Sequence, residues 1–207
     1  KYFDHKSSIT IKDLLTHTSG LPPFRQYFLM KGSVDARLDS IYNTEPVFNL
    51  HETMVYSDVG IIILGKIVET ISKVKLDVFV QSNIFDPLGM NNTFYNPPKE
   101  KLHRIVPTEI DPKGNLIKGY VHDENAYSIS GVAGHAGLFS KTKDLAIFSQ
   151  MMLNKGLYGW KRIFRSETVD LFTQRSNIID GSSRCLGWDS PSDKASGGVY
   201  LSNASYG

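Results

Sequence analysis

The chain has 207 residues, 41% of them hydrophobic and 11% aromatic, which is enough apolar material to bury a core and too much for a disordered segment. Its 23 basic and 21 acidic residues leave a formal charge of +2 with no block of like charge, so the footprint of a nucleic-acid or membrane-surface binder is absent. The single cysteine, Cys185, excludes an intrachain disulfide and a cysteine-rich metal site. No run reaches the roughly 18 apolar residues of a membrane span, and the opening KYFDHKSS lacks the basic-then-apolar layout of a signal peptide.

Thr10 followed by Asp13 has the spacing of a capping box, and Ile11, Leu14 and Leu15 give ITIKDLLTH the apolar face of a short helix. Ser19, Gly20, Pro22 and Pro23 end it. His17 is expected to make a charge–dipole contact at the end of that helix, and Lys12 and Asp13 to form its solvated face. A second helix is predicted from Ser33, its cap, to about Tyr42. The firmest helix follows Asp58, read as its N-cap, with apolar residues at 61, 64, 67, 68 and 71 and an end at Ser72 and Lys73.

Leu76 to Ile84 predicts another helix, stopped by DPLGM. Sheet structure is expected to begin at residues 104–121, where two β-prone runs flank Asp-Pro-Lys-Gly-Asn as in a hairpin. The glycine-rich stretch VHDENAYSISGVAGHAGLFS, residues 121–140, reads as a loop whose length suggests function. A helix from about Asp144 to Asn154 follows, capped by Ser140 or Thr142, with Leu145, Phe148, Met151 and Met152 turned to the core. Ser166 is read as the cap of one more helix, and CLGWDS and GGVYLSNASYG as strands in need of partners.

Residues 55–65, VYSDVGIIILG, place a tyrosine, a serine and an aspartate directly before an apolar helix. Free N–H groups and the partial positive charge at a helix start favour an anion beside them. Taken alone, the trio reads as a cap beside a packed tyrosine.

In order along the chain, ITIKDLLTHTSGLP, VYSDVGIIILGKIVE, NIFDPLGMNNT and GHAGLFSKTKDLAIFSQMML closely resemble the serine β-lactamase superfamily. The branch is that of class C β-lactamases, D-alanyl-D-alanine carboxypeptidases and esterases. The resemblance implies an α+β, β-lactamase/transpeptidase-like fold in a single domain, with a helical lobe over about 7–100 and part of an antiparallel sheet over about 101–207. It also implies a serine hydrolase that works through an acyl-enzyme on a D-Ala-D-Ala peptide, a β-lactam or an ester. No cofactor or metal is implied. The partner is a small-molecule or cell-wall peptide substrate, and the location is the bacterial cell envelope or outside the cell.

In that family three motifs build the site: Ser-x-x-Lys, Tyr-x-Asn, and a Lys-Thr-Gly or His-Thr-Gly strand. Tyr56, Ser57 and Asp58 match the second, so Tyr56 and Asp58 are the catalytic candidates. Asp58 stands where asparagine is usual, exchanging an amide that donates and accepts for a group that only accepts when ionised. Two Ser-x-x-Lys matches, Ser72 to Lys75 and Ser140 to Lys143, lie downstream of where the family places its nucleophile, and His135-Ala136-Gly137 is not on a strand near the far end. The 207 residues are therefore expected to be the middle of a longer hydrolase, inactive alone. By resemblance, His122, Asp123, Asn125 and His135 shape the substrate side of the cleft, with Tyr56 at its lip. Two rivals remain open: a metal site on His122, Asp123, Glu124 and His135, and a non-catalytic ligand-binding module.

Overall fold

A computed structural model of the chain describes residues 8–192, 201–202 and 204–207. They fall into two compact units, one drawn from Lys1–Phe24, Thr44–Gly60 and Met151–Gly207 and the other from Arg25–Asn43 and Ile61–Gln150.

In the first unit, helix α1 (Ile11–Leu15) starts with the expected capping box: the Asp13 N–H donates to the Thr10 hydroxyl, and the Thr10 N–H donates back to the Asp13 carboxylate. Asp13 is not solvated, however. It is buried, and its other oxygen lies 2.6 Å from His51 Nε2. Among the described residues of this unit, the buried apolar side chains are Leu14, Leu21, Val59, Met151, Met152, Val169 and Cys185. Strands β5 (Leu157–Tyr158) and β6 (Lys161–Arg162) form a hairpin ahead of helix α8 (Ser166–Thr173). Ser166 lies inside α8, and Arg165 holds the cap position with no side-chain cap bond. In CLGWDS a single antiparallel bridge joins Arg184 to Asp189, and Asp189 also exchanges two backbone hydrogen bonds with Gly207. Of the strand expected over GGVYLSNASYG, residues 201–202 and 204–207 form turns and irregular chain rather than a strand, and the rest lies outside the described residues.

In the second unit, Ser33 caps helix α2 (Val34–Tyr42) by accepting the Ala36 N–H at 3.2 Å, as its position predicts. Helix α3 (Asp58–Ser72) has the predicted span. The next helical run outlasts its predicted end: α4 (Leu76–Val80) passes through a π-turn (Gln81–Phe85) into α5 (Asp86–Leu88). Pro87 is tolerated because it sits in the first turn of α5, and Gly89, at φ +69°, ends the run in the left-handed conformation.

Sheet structure begins before the expected hairpin. Strand β1 (Phe94–Tyr95) pairs antiparallel with β4 (Leu138–Phe139), Phe94 opposite Phe139. The predicted hairpin forms from β2 (Glu109–Ile110) and β3 (Leu116–Ile117), and the Asp111 carboxylate closes its turn by accepting the N–H groups of Lys113 and Asn115. Helix α7 (Thr142–Leu153) starts earlier than predicted, with Thr142 inside it. Leu145 is 51% exposed, and Asp144 is the buried residue of that turn, accepting the Asn92 N–H and the Thr93 hydroxyl. Each unit mixes helices with short antiparallel pairs, as expected for an α+β fold.

Candidate active site

Ser57, not Asp58, caps α3. Its buried hydroxyl accepts the Gly60 N–H at 3.2 Å and donates to the Pro22 carbonyl at 2.7 Å, so it bonds the third residue of the helix while Asp58 is the first. Both residue types are good caps; tertiary contacts choose the serine. The Asp58 N–H donates to the Pro23 carbonyl at 2.9 Å.

His17 fixes the same turn from the other side. It adopts a left-handed backbone, φ 58°, and its Nδ1 accepts the Ser57 N–H at 3.0 Å. Burial, and then the Arg184 guanidinium, bring its pKa down to about 4, while the Asp189 carboxylate opposes them weakly. The ring is therefore neutral near pH 7, and the expected charge–dipole contact at the end of α1 does not occur. A charged imidazolium would carry a proton on the nitrogen that accepts from Ser57.

Tyr56 is thereby left as the outward member of the trio. The residue is 55% exposed, and its ring lies 4.4 Å from the His17 ring and carries the Arg184 guanidinium 5.4 Å from its centroid. Arg184 lies 3.9 Å from the Asp189 carboxylate. A solvent-accessible phenol is held on one face by a neutral imidazole and approached by a cation. Nothing in the sequence singles out Arg184, because it meets Tyr56 only through the fold.

In the second unit, the stretch read as a loop contains a one-turn helix, α6 (Glu124–Ser128), capped by Asp123 accepting the Ala126 N–H at 2.7 Å. Burial pushes the Asp123 carboxyl up, but hydrogen bonds from His135 and from the α6 backbone outweigh it and hold the group below its usual range. His135 Nε2 lies 2.9 Å from Asp123, with only 3% of its side chain exposed. Asn125 is fully buried: its amide oxygen accepts the Phe28 N–H at 3.1 Å, and its amide nitrogen donates to the Arg25 carbonyl at 2.8 Å. His122 is half exposed and pairs with Glu109 at 2.5 Å. The two histidines thus face different carboxylates, and among the described residues no group of three or more His, Cys, Asp or Glu is placed to hold a metal.

Close backbone contact fixes the glycine-rich part of this loop. A Cβ at Gly134 would overlap the Ile61 carbonyl oxygen of α3, and one at Gly65 would come within 3.0 Å of Gly134 N. Tyr95 donates to the Ala133 carbonyl at 3.1 Å, and burial, with the Asp77 carboxylate, pushes its phenol up to about 12, so it remains a donor. Asn125→Ala should lower stability by about 2 kcal/mol, because the two hydrogen bonds of its buried amide to the Arg25 and Phe28 backbone are lost. Urea unfolding of the two proteins side by side checks this, and an unchanged midpoint would show that water replaces the amide.

The two Ser-x-x-Lys matches serve local structure. The Ser72 hydroxyl accepts the Val74 N–H at the end of α3, and the Ser140 hydroxyl lies 2.8 Å from that of Thr93.

Comparison with known proteins decides the family. The Beta-lactamase family model matches residues 1–198. The chain belongs to the Beta-lactamase family. Relatives from Salmonella heidelberg and Salmonella typhi, each described as "Putative D-alanyl-D-alanine carboxypeptidase", are 37% identical over 205 residues, 88% of this chain and 47% of theirs. This Beta-lactamase family chain thus spans about half the length of the curated relatives it matches. Among solved structures, a β-lactamase/D-alanine carboxypeptidase from Pseudomonas syringae matches 91% of the chain and 50% of its own length, with a TM-score of 0.69 at 19% identity. FmtA from Staphylococcus aureus matches 87% of the chain and 49% of its own length, with a TM-score of 0.67 at 15% identity. These likenesses establish the β-lactamase/transpeptidase fold.

Proposed function

We propose that this chain carries the tyrosine-bearing part of a serine hydrolase of the bacterial cell envelope, acting through an acyl-enzyme on a D-Ala-D-Ala peptide, a β-lactam or an ester. The exposed Tyr56 phenol carries the reading, since it lies beside the capped start of α3 in a Tyr-Ser-Asp sequence at the place of the family's second motif. The names of the Salmonella relatives support the peptide among the substrates.

In this reading Tyr56 accepts the proton of the nucleophilic serine as the serine oxygen attacks the carbonyl carbon, then returns it to the departing amine or alkoxide. Asp58 acts as an acceptor toward the substrate or the nucleophile's lysine. His122, Asp123, Asn125 and His135 form the substrate side, with Asn125 acting through the backbone it ties down. The nucleophile and its lysine are assigned to sequence outside these 207 residues, because Ser72 and Ser140 hold a helix end and a strand end.

The test compares the 207-residue protein with one extended in both directions by the flanking sequence of its gene, using nitrocefin, a short p-nitrophenyl ester and a D-Ala-D-Ala peptide. The extended protein should turn over at least one substrate and be labelled on serine by a fluorescent penicillin, and the 207 residues should do neither. Turnover by the 207 residues that vanishes with Ser72→Ala or Ser140→Ala would overturn the assignment. A folded extended protein inert toward all three would favour a non-catalytic ligand-binding module.

A further inference from the structure

Within the second unit, a cavity of about 460 Å³ opens between the segment 104–108, the β2–β3 hairpin's exit at Tyr120 to Asp123, and the segment 136–140. That size suits a small organic ligand. Much of its wall is apolar: Ile105, Val106, Val121, Leu138 and Phe139 line it, with Tyr120 at one side. A smaller recess shares Arg104, Ile105, Phe139 and Ser140 with it and adds Lys101 and Lys141. The chamber therefore has an apolar body and a cationic end.

The charges around it are unevenly spent. The Glu109 carboxylate lies against His122 and that of Asp123 against His135, pairs that are ionic only when the ring is protonated, and Asp144 lies 3.8 Å from Lys141. Arg104 and Lys101 have no carboxylate partner among the described residues. Arg104 donates one N–H to the Asn92 side-chain oxygen at 2.6 Å, and Lys101 donates to the Asn91 carbonyl while its ammonium lies 4.8 Å from the Phe94 ring centroid. Both are held in place by neutral oxygens that leave their charge uncompensated, and most of the five donors of the guanidinium stay free. Its planar fork fits a carboxylate or phosphate in two parallel bonds.

We infer that this chamber binds an organic oxyanion, a carboxylate or phosphate monoester on an apolar body, with the acid group at Arg104 and Lys101 and the body against Ile105, Val106, Val121 and Phe139. The chamber shares His122 and Asp123 with the substrate side proposed above, but the inference rests on Arg104, Lys101 and the apolar wall and needs no turnover.

Amide chemical shifts of the 207-residue protein, titrated with phenyl phosphate, benzoate, inorganic phosphate and benzyl alcohol, test it. Phenyl phosphate or benzoate should perturb residues 101–106 and 138–141, and whichever binds more tightly identifies the acid. Inorganic phosphate and benzyl alcohol should each bind more weakly, the first lacking the body and the second the charge. Arg104→Gln, at an exposed position that leaves the fold intact, should weaken the preferred ligand about tenfold or more, and Lys101→Gln should weaken it less. Perturbations elsewhere, equal binding of benzyl alcohol, or an unchanged affinity in Arg104→Gln would overturn the inference, as would no binding by any of the four.

Discussion

Replacing His17 with leucine should destabilise the protein by roughly 3 kcal/mol and remove a large part of its sensitivity to mild acid. The variant leaves the Ser57 N–H, buried beneath the start of α3, without its acceptor, which costs about 1–3 kcal/mol. It also puts leucine at φ 58°, a left-handed position that histidine tolerates somewhat better, which adds roughly 0.5 kcal/mol. The pH effect follows from the imidazole's position. Folded His17 titrates at about 4, against 6.5 for an unhindered histidine, so between those values the unfolded chain binds a proton that the folded chain does not. Stability must then rise with pH across that window, by up to about 3 kcal/mol, and level off above it. Asp13 works in a lower window: its depressed carboxyl stabilises the fold above 3.8 and ceases to do so only as pH falls through its folded value. Urea titrations of both proteins from pH 4 to 8 separate the two. An equally steep wild-type and variant slope between pH 4 and 6.5 would show that His17 is not the group responsible.

What was legible in the sequence was what is decided within a few residues. Thr10 with Asp13, Ser33 before α2, and Asp111 with Asn115 in the Asp-Pro-Lys-Gly-Asn turn each act on neighbours three or four positions away, and each stands in the element the local sequence predicts. The span of α3 was legible because fifteen residues repeat one apolar pattern. Its cap was not, because Ser57 and Asp58 are equally suited and the choice rests on Pro22 and His17, far back in the chain. His17 and Asp13 were misjudged for a related reason: a polar side chain at a helix end looks solvated until distant partners, here Ser57 and His51, bury it. The family resemblance selected the candidate residues, but their work was hidden. Asn125 bonds groups about a hundred positions away, and Arg184 reaches the Tyr56 ring only after the chain has folded back.

In the extended protein, Tyr56→Phe should lower kcat by about 10²- to 10⁴-fold, the usual contribution of a positioned acid–base group. The substitution is clean in structural terms. It keeps the ring on His17 and within reach of Arg184, and the position is more than half exposed, so the midpoint of unfolding should stay within about 0.5 kcal/mol of wild type. If the phenol only moves protons, KM should change little and slow acylation by penicillin should persist in part, because the nucleophile and the groups that hold the carbonyl oxygen remain. His17→Leu makes the converse control. It loosens the turn that presents Tyr56 but retains the phenol, so turnover should recover as temperature is lowered and the fold is restored, whereas in Tyr56→Phe it should not. A Tyr56→Phe protein with wild-type kcat would remove the phenol from the chemistry and leave VYSDVG as the cap of a helix. Loss of turnover accompanied by loss of folding would return the tyrosine to the core. Only a folded and slow enzyme assigns Tyr56 the proton.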